Sequence, residues 1–254
     1  MKNYIEVRGV RIGEGIPKIC VPIVGKTKEE ILAAARSFSN VTLDVVEWRA
    51  DWFDGVFHFG QLEDVLKELR RILADIPILF TFRTLKEGGE KDIDTMDYAE
   101  LNKKVSASGL VDMVDVEAFM GDKIVRDIII GAHAYGVKVV ASNHDFAKTP
   151  EKEELIKRLC KMQDLGADIP KIAVMPQSKK DVLTLLAATQ EMTDQYADRP
   201  IVTMSMATDG LISRLCGEIF GSALTFGSVG TASAPGQMNA ADLNAVLTMI
   251  HNNL

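Results

Sequence analysis

From Lys18 onward the sequence repeats one unit: a short hydrophobic run rich in β-branched residues, a loop, and an amphipathic helix. Such nearly continuous hydrophobicity is typical of parallel strands that are covered by helices. Eight of these units in succession predict an α/β fold, namely a closed (β/α)8 TIM barrel. The predicted strands are 19–24, 42–48, 78–82, 111–116, 137–142, 169–175, 201–205 and 224–226.

Capping residues indicate where several helices begin. A hydroxyl or amide side chain followed three residues later by an acidic one predicts a capped N-terminus, because the two side chains bind the unpaired amides of the first turn. A threonine before a proline predicts a start as well, because proline is favoured at the first helical position. These pairs are Thr27 with Glu30, Thr149 with Pro150, Ser178 with Asp181, and Asn239 with Asp242.

Residues 1–16 differ from the repeating part. Hydrophobic residues alternate on either side of Arg8-Gly9, which predicts a small β-hairpin. No linker or low-complexity tract follows, so we predict one domain over 1–254, with the hairpin at 1–16 and the barrel at 17–254. The competing fold is a doubly wound open sheet, which favours a glycine-rich phosphate loop. No G-x-G-x-x-G follows any predicted strand.

Composition excludes several classes of function. A net charge of −7 and a pI near 5.2 make nucleic acid and anionic membranes poor partners. No apolar run reaches the ~18 residues of a membrane span, and the start lacks a signal-peptide pattern, so a cytoplasmic location is expected. Cys20, Cys160 and Cys216 are interpreted as reduced thiols. Neither C-x-x-C nor H-E-x-x-H occurs, which argues against a metal site.

Lys171 lies inside the predicted strand 169–175. A lysine is uncommon in an apolar strand, because moving an ammonium out of water is costly unless it is paired or loses its charge. One interpretation is a lysine that forms an ion pair or extends its charge to the surface. The other is an amine kept uncharged so that it attacks a carbonyl.

Ionisable residues recur where the predicted strands end, which is where barrel enzymes carry their chemistry. Each has a structural alternative: His144 as an ordinary loop histidine, Glu47 with Arg49 as an ion pair, and Arg83 paired with Glu117. Their convergence at one end of one barrel favours an active site. The set comprises Glu47, Arg49, Arg83, Lys86, Glu87, Glu90, Asp115, Glu117, His144, Lys171 and Arg214.

The chemistry of this set is coherent. An imine between Lys171 and a ketone withdraws electrons from the adjacent carbon, so a base of modest strength removes its proton. His144 is the histidine placed at a strand end, and Glu87 is able to hold its tautomer. Arginines bind a substrate carboxylate, and carboxylates bind hydroxyls. The predicted substrate is a small, hydroxylated, anionic keto-acid.

Several segments, taken together and in this order, resemble type I 3-dehydroquinate dehydratase, the lysine-dependent dehydroquinase. They cover nearly the whole chain from Lys18 on. The segments are E-W-R at 47–49, T-F-R at 81–83, E-G-G-E at 87–90, S-N-H-D-F at 142–146, G-A-D-I-P-K-I-A-V-M-P at 166–176, M-S-M at 204–206, I-S-R at 212–214 and S-A-P-G-Q at 233–237.

The resemblance implies dehydration of 3-dehydroquinate to 3-dehydroshikimate by syn elimination, in the shikimate pathway of aromatic amino acid biosynthesis. It implies Lys171 as the Schiff-base lysine, His144 as general acid and base, Glu87 as its partner and Arg214 as the carboxylate clamp. It also implies a homodimer without metal or cofactor. The other expected substrate-binding residues are Glu47, Arg49, Arg83, Met206, Phe226, Ser233 and Gln237.

Pro22 departs from the pattern, because enteric members carry a serine there. Two rival functions remain. A class I aldolase or transaldolase also forms a lysine imine in a barrel, but it normally acts on phosphorylated sugars, and no phosphate-cradling loop follows the seventh or eighth strand. A metabolite-binding regulatory barrel would bind without covalent chemistry.

Overall fold

The computed structural model describes residues 4–230 and 237–254, and it confirms the barrel and the hairpin. The hairpin consists of β1 (Ile5–Val7) and β2 (Val10–Ile12), paired antiparallel. Each predicted barrel strand is present, with boundaries shifted by a few residues. The barrel strands are β3 (Lys18–Ile23), β4 (Val45–Arg49), β5 (Ile78–Thr81), β6 (Met113–Glu117), β7 (Lys138–Asp145), β8 (Ile169–Val174), β9 (Val202–Ser205) and β10 (Leu224–Ser228).

Helices follow the strands in turn and cover the outside of the sheet. After β9 this position is divided between two short helices. A short strand, β11 (Met238–Asn239), pairs with β10 before the last helix. The helices are α1 (Lys28–Ser37), α2 (Phe59–Leu73), α3 (Thr95–Ala107), α4 (Asp122–His133), α5 (Lys152–Leu165), α6 (Lys179–Glu191), α7 (Leu211–Leu215), α8 (Gly217–Phe220) and α9 (Ala240–His251). Within 4–230 and 237–254, no helix has the length and apolar character needed to cross a bilayer.

The barrel strands pair in parallel, from β10 through β3 and then in chain order to β9. The ring closes between β9 and β10 at the amino-terminal ends of the strands, which is the lower end of the barrel, where Ile201 and Ser222 form a parallel bridge. There the Ala223 amide donates to the Ile201 carbonyl at 2.9 Å. All the strands therefore present their carboxyl ends at the same rim.

Most capping predictions are confirmed. Thr27 and Glu30 form a capping box on α1, Asp181 accepts from the Ser178 amide at 3.0 Å, and Asn239 accepts from the Ala241 amide at 2.9 Å. The prediction that Thr149 caps a helix with Pro150 at its first position was wrong, because α5 begins at Lys152. The Thr149 hydroxyl donates instead to the carbonyl of Met175, at 3.1 Å, and so ties this loop to the end of β8.

The barrel interior is layered. Its lower part is apolar: Val45, Leu79 and Met113 belong to a buried cluster that Val7 and Ile12 of the hairpin close from below. Because side chains alternate across a strand, the next inward positions on the same strands lie nearer the carboxyl rim. Those positions carry the polar side chains Glu47, Thr81 and Asp115, so the polar layer lies between the apolar floor and the carboxyl ends of the strands.

Candidate active site

One cavity opens at the carboxyl ends of the strands, and the catalytic and substrate-binding residues that the resemblance implies line it, apart from Ser233, which lies outside the described residues. Of the wider ionisable set, Asp115 and Glu117 are buried and do not line it, and Lys86 and Glu90 are exposed and do not line it either. Its wall combines arginines and carboxylates with methionine and phenylalanine side chains. The lining residues are Glu47, Arg49, Arg83, Glu87, Gly88, His144, Phe146, Lys171, Ala173, Met204, Met206, Arg214, Phe226 and Gln237.

Lys171 is 4 % exposed and points into this cavity from the middle of β8. Its Nζ lies 3.1 Å from Oδ2 of Asp115 and 4.7 Å from the centroid of the Phe226 ring. The ion pair that one interpretation of Lys171 predicts is therefore present, with Asp115 as the partner. The same amine nevertheless faces the cavity, so the contact and a nucleophilic role are compatible.

His144 lies on the neighbouring strand, one pleat closer to the rim than Lys171. The register of β7 and β8 sets this, because Ser142 pairs with Lys171 and His144 pairs with Ala173. Nδ1 of His144 and Oε2 of Glu87 are 2.9 Å apart, and the same oxygen accepts from the His144 amide at 2.9 Å. The backbone contact holds the Glu87 carboxylate in place, and the Nδ1 contact orients the ring.

Burial and neighbouring charges shift the pKa values of both His144 and Glu87. Burial lowers the pKa of His144 well below 6.5, and the charges of Arg83, Lys171 and Arg49 lower it further. Burial also raises the pKa of Glu87 to about 7, although Arg83 opposes that shift. The imidazole is therefore held neutral near pH 7, the form in which it accepts a proton.

Arg83 anchors a buried polar cluster beneath the cavity. It donates to Asp115 at 2.7 Å, to the Ser142 hydroxyl at 2.9 Å and to Glu117 at 3.1 Å. The predicted Arg83–Glu117 pair is thus present. Burial would raise the pKa of Asp115, but Arg83 and Lys171 outweigh it and lower that pKa to about 2.

Glu47 and Arg49 both face the cavity from β4, and each has a partner. The Arg49 guanidinium makes two hydrogen bonds to Asp51, at 2.8 and 2.7 Å. Oε1 of Glu47 accepts from the Thr81 hydroxyl at 2.9 Å. These contacts hold the two side chains at the cavity wall.

Arg214 reaches the cavity from α7 and is 2 % exposed. Its Nη1 lies 3.7 Å from the Met204 sulfur, and burial lowers the pKa of the guanidinium to about 10. A cation in such apolar surroundings gains most from an anionic partner, because the local dielectric constant is low.

Sequence reasoning missed Asp51, Gly88, Phe146 and Ala173 as parts of the site. The Phe146 ring stacks on His144 with centroids 6.5 Å apart. Gly88, with φ of +82°, leaves room for this ring, since a Cβ there would lie 2.4 Å from it. Phe146 and Gly88 lie inside two of the conspicuous segments, and Asp51 follows Arg49 by two residues, so proximity in sequence was the available signal.

Comparison with known proteins gives a consistent result. The family model for type I 3-dehydroquinase matches residues 19–254. The curated 3-dehydroquinate dehydratase of Clostridioides difficile is 56 % identical, with all of both chains covered. That of Salmonella typhimurium is 53 % identical over 97 % of this chain and 98 % of its own.

Solved structures agree. Type I 3-dehydroquinate dehydratase from Clostridium difficile, with covalently modified comenic acid, superposes with a TM-score of 0.98 at 56 % identity and full coverage of both chains. The Enterococcus faecalis 3-dehydroquinate dehydratase gives 0.91 at 44 % identity, over 96 % of this chain and 98 % of its own. The chain therefore belongs to the type I 3-dehydroquinase family, whose members dehydrate 3-dehydroquinate.

Proposed function

We propose that the chain dehydrates 3-dehydroquinate through a Schiff base on Lys171, with His144 as the general acid and base. The observation that carries this proposal is that a buried lysine amine and a carboxylate-oriented, neutral imidazole line one cavity. The names of the relatives supply the substrate.

The Lys171 ammonium gives a proton to His144, and the free amine attacks the ketone carbon. The imidazolium returns that proton to the departing hydroxyl, so one water leaves and a protonated imine remains. His144 takes the proton from the adjacent carbon, and the electron pair of the broken C–H bond moves to the imine nitrogen. That pair then returns as the neighbouring C–O bond breaks, while the imidazolium gives its proton to the departing hydroxyl. Water hydrolyses the imine and releases 3-dehydroshikimate, so the net change is the loss of one water.

A single imidazole that both takes the proton and protonates the leaving group must act on one face of the ring. This requirement supports syn elimination. Glu87 keeps the ring oriented through Nδ1, which leaves Nε2 directed at the substrate.

The remaining residues of the site are proposed to hold the substrate. Arg214 binds the carboxylate, because a forked, partly desolvated cation suits that group. Polar side chains bind the ring hydroxyls, Met206 and Phe226 contact the apolar part of the ring, and Ser233 and Gln237 bind the substrate as the family resemblance implies. The proposed hydroxyl-binding residues are Glu47, Arg49 and Arg83.

Borohydride reduction tests the Schiff base. With 3-dehydroquinate present, we expect a stable adduct mass on the peptide that contains Lys171, because hydride reduces the protonated imine to an amine. The Lys171→Met variant is expected to give no adduct, whereas Lys138→Met, at the opposite end of the barrel, is expected to react normally. Normal substrate binding by an unmodified wild-type lysine would favour the metabolite-binding alternative and contradict the proposal.

Turnover of the His144→Ala variant tests the second role. We expect slow adduct formation to persist, because Lys171 remains, while turnover falls by roughly 10²–10⁴-fold. Absorbance of the enone product measures this directly. A variant with unchanged turnover would remove His144 from the mechanism.

At the level of the whole chain, we propose a single domain over 1–254 that forms a homodimer in the cytoplasm. The three free cysteines, Cys20, Cys160 and Cys216, support a reducing compartment. Sedimentation analysis tests the dimer, and a monomer at micromolar concentration would contradict it.

A further inference from the structure

Asp115 is the ionisable group closest to the Lys171 amine that the mechanism above does not use. Its carboxylate is fully buried, and each oxygen has a defined partner. Oδ1 accepts from Arg83 at 2.7 Å and from the Ser142 hydroxyl at 2.6 Å, while Oδ2 lies 3.1 Å from Nζ of Lys171. One oxygen is thus held by the scaffold, and the other faces the reacting nitrogen.

The backbone around Asp115 is held as firmly as its side chain. The buried hydroxyl of Tyr98 donates to the carbonyl of Asp115 at 3.2 Å and accepts from the Glu117 amide at 3.0 Å. Asp115 is therefore unable to follow Lys171 if that side chain moves. Its position relative to a nitrogen bonded to substrate is set before the substrate arrives.

A positive nitrogen at residue 171 offsets negative charge in this cluster. Asp115 and Glu117 are the anions, and Arg83 donates to both of them. Glu117 is satisfied separately, by the amide and hydroxyl of Thr84, each at 2.8 Å. With a neutral amine, Arg83 faces these two carboxylates and also Glu87 at 3.7 Å, so negative charge is left over in a buried site, which is costly.

We propose that Asp115 is a further catalytic residue, the counterion that keeps the imine on Lys171 protonated until the elimination occurs. This inference rests on the proposed Schiff base. Only a protonated imine accepts the electron pair of the broken C–H bond without building a negative charge on nitrogen. Asp115 itself exchanges no proton, because Arg83 and Ser142 stabilise its anionic form.

The same carboxylate retards the first step, since it also favours the ammonium form of the free amine. The other ionisable groups near Lys171 are Cys20 on β3, Glu47 on β4, Arg83 just after β5 and His144 on β7. Neutral His144 is the base available to receive the proton that the amine must lose. Removing the charge of Asp115 is therefore expected to make the Lys171 amine easier to deprotonate and to slow the elimination from the protonated imine.

The Asp115→Asn variant tests this. We expect kcat to fall by roughly 10²–10³-fold, as for loss of one preorganised electrostatic contact, with KM changing by less. We expect Lys171 to become easier to acetylate: the half-maximal pH for competitive labelling with acetic anhydride, followed by peptide mass spectrometry, moves down by about one to three units. The midpoint moves down because removing a neighbouring anion disfavours the ammonium form of the amine.

Glu117→Gln is the matched control, because it removes a carboxylate from the same cluster that binds Arg83 and Thr84. We expect it to move the labelling midpoint clearly less than Asp115→Asn does, because Asp115 contacts the Lys171 amine whereas Glu117 is held by Arg83 and Thr84. A misfolded Asp115→Asn variant is recognised by loss of the cooperative unfolding transition. In that case Ser142→Ala replaces it, because this change removes one hydrogen bond to the carboxylate and leaves its charge. We expect Ser142→Ala to lower kcat by a smaller factor. Wild-type turnover with an unmoved labelling midpoint would overturn the inference, whereas absence of a borohydride adduct in the wild type would overturn the Schiff base itself.

Discussion

At the residue scale, chemistry in this site depends on what surrounds each side chain. Glu87 is an ordinary glutamate in sequence, yet burial raises its pKa to about 7. The pKa of His144 is shifted in the opposite direction, well below 6.5, by burial and by three neighbouring cations. Both shifts arise because burial makes a charge costly at this position, so an ionised Glu87 lowers the stability of the fold.

The pH dependence of unfolding follows from the shift of Glu87. Its folded-state pKa, about 7, lies above the unfolded value of 4.5. Its contribution to stability is therefore complete below pH 4.5 and is lost as the pH rises through 7. We expect Glu87→Gln to remove this loss, so that at pH 8 the variant is more stable than the wild type by about 3 kcal/mol, while turnover falls. Urea unfolding at pH 5 and pH 8 measures the difference.

Glu153→Gln is the control for that measurement, since the Glu153 side chain is 79 % exposed. We expect it to leave the pH dependence as in the wild type. Equal pH dependence in Glu87→Gln and the wild type would show that Glu87 is not the group responsible.

At the scale of elements, the loop after β5 and the end of β7 build one wall of the site together. Glu87 and Gly88 come from the first, and His144 and Phe146 from the second. The sequence predicted both segments as functional, but it did not predict that β7 extends to Asp145 and so carries His144 within the sheet. Pairing with β8 extends the strand, because Asp145 finds a partner in Val174.

Gly88→Ala tests this wall. A Cβ at Gly88 would lie 2.4 Å from the Phe146 ring, so the ring must leave its position over His144. We expect kcat/KM to fall by about tenfold and stability to fall by about 1 kcal/mol, the latter from the positive φ. Gly109→Ala, with φ of +70° and open space around the new methyl, separates the two effects. It should lose stability alone, and equal activity losses in the two variants would contradict the assignment.

At the scale of the whole molecule, the N-terminal hairpin closes the floor of the barrel. Arg8 and Gly9 both have positive φ, as a two-residue hairpin turn of this kind requires. Arg8 bonds to Asp112 at 2.6 Å, and Asp112 also pairs with Arg70 of α2. The hairpin is thereby attached both to the barrel interior and to the surrounding helices.

Ile12→Ala tests the importance of this floor. Ile12 is fully buried among the residues at the lower end of the barrel, so we expect a loss of about 2–4 kcal/mol in the free energy of unfolding. Turnover of the folded fraction should change little, because the site lies at the opposite rim. Ile130→Ala, at a position 68 % exposed, is the matched control and should cost less than about 0.5 kcal/mol. Similar losses in both variants would mean that the hairpin does not seal the core.

The sequence by itself determined the barrel, the hairpin and most helix starts, because these follow from hydrophobic periodicity and local capping, which neighbouring residues carry. It also identified most of the residues that line the cavity, since the carboxyl ends of parallel strands share one rim. Only the tertiary structure decided which partner each of them has. The contacts of Lys171 with Asp115, of Arg49 with Asp51 and of Thr149 with Met175 depend on strand register and side-chain direction. The pKa shifts of Glu87 and His144 depend on burial by distant parts of the chain, and no local pattern encodes that.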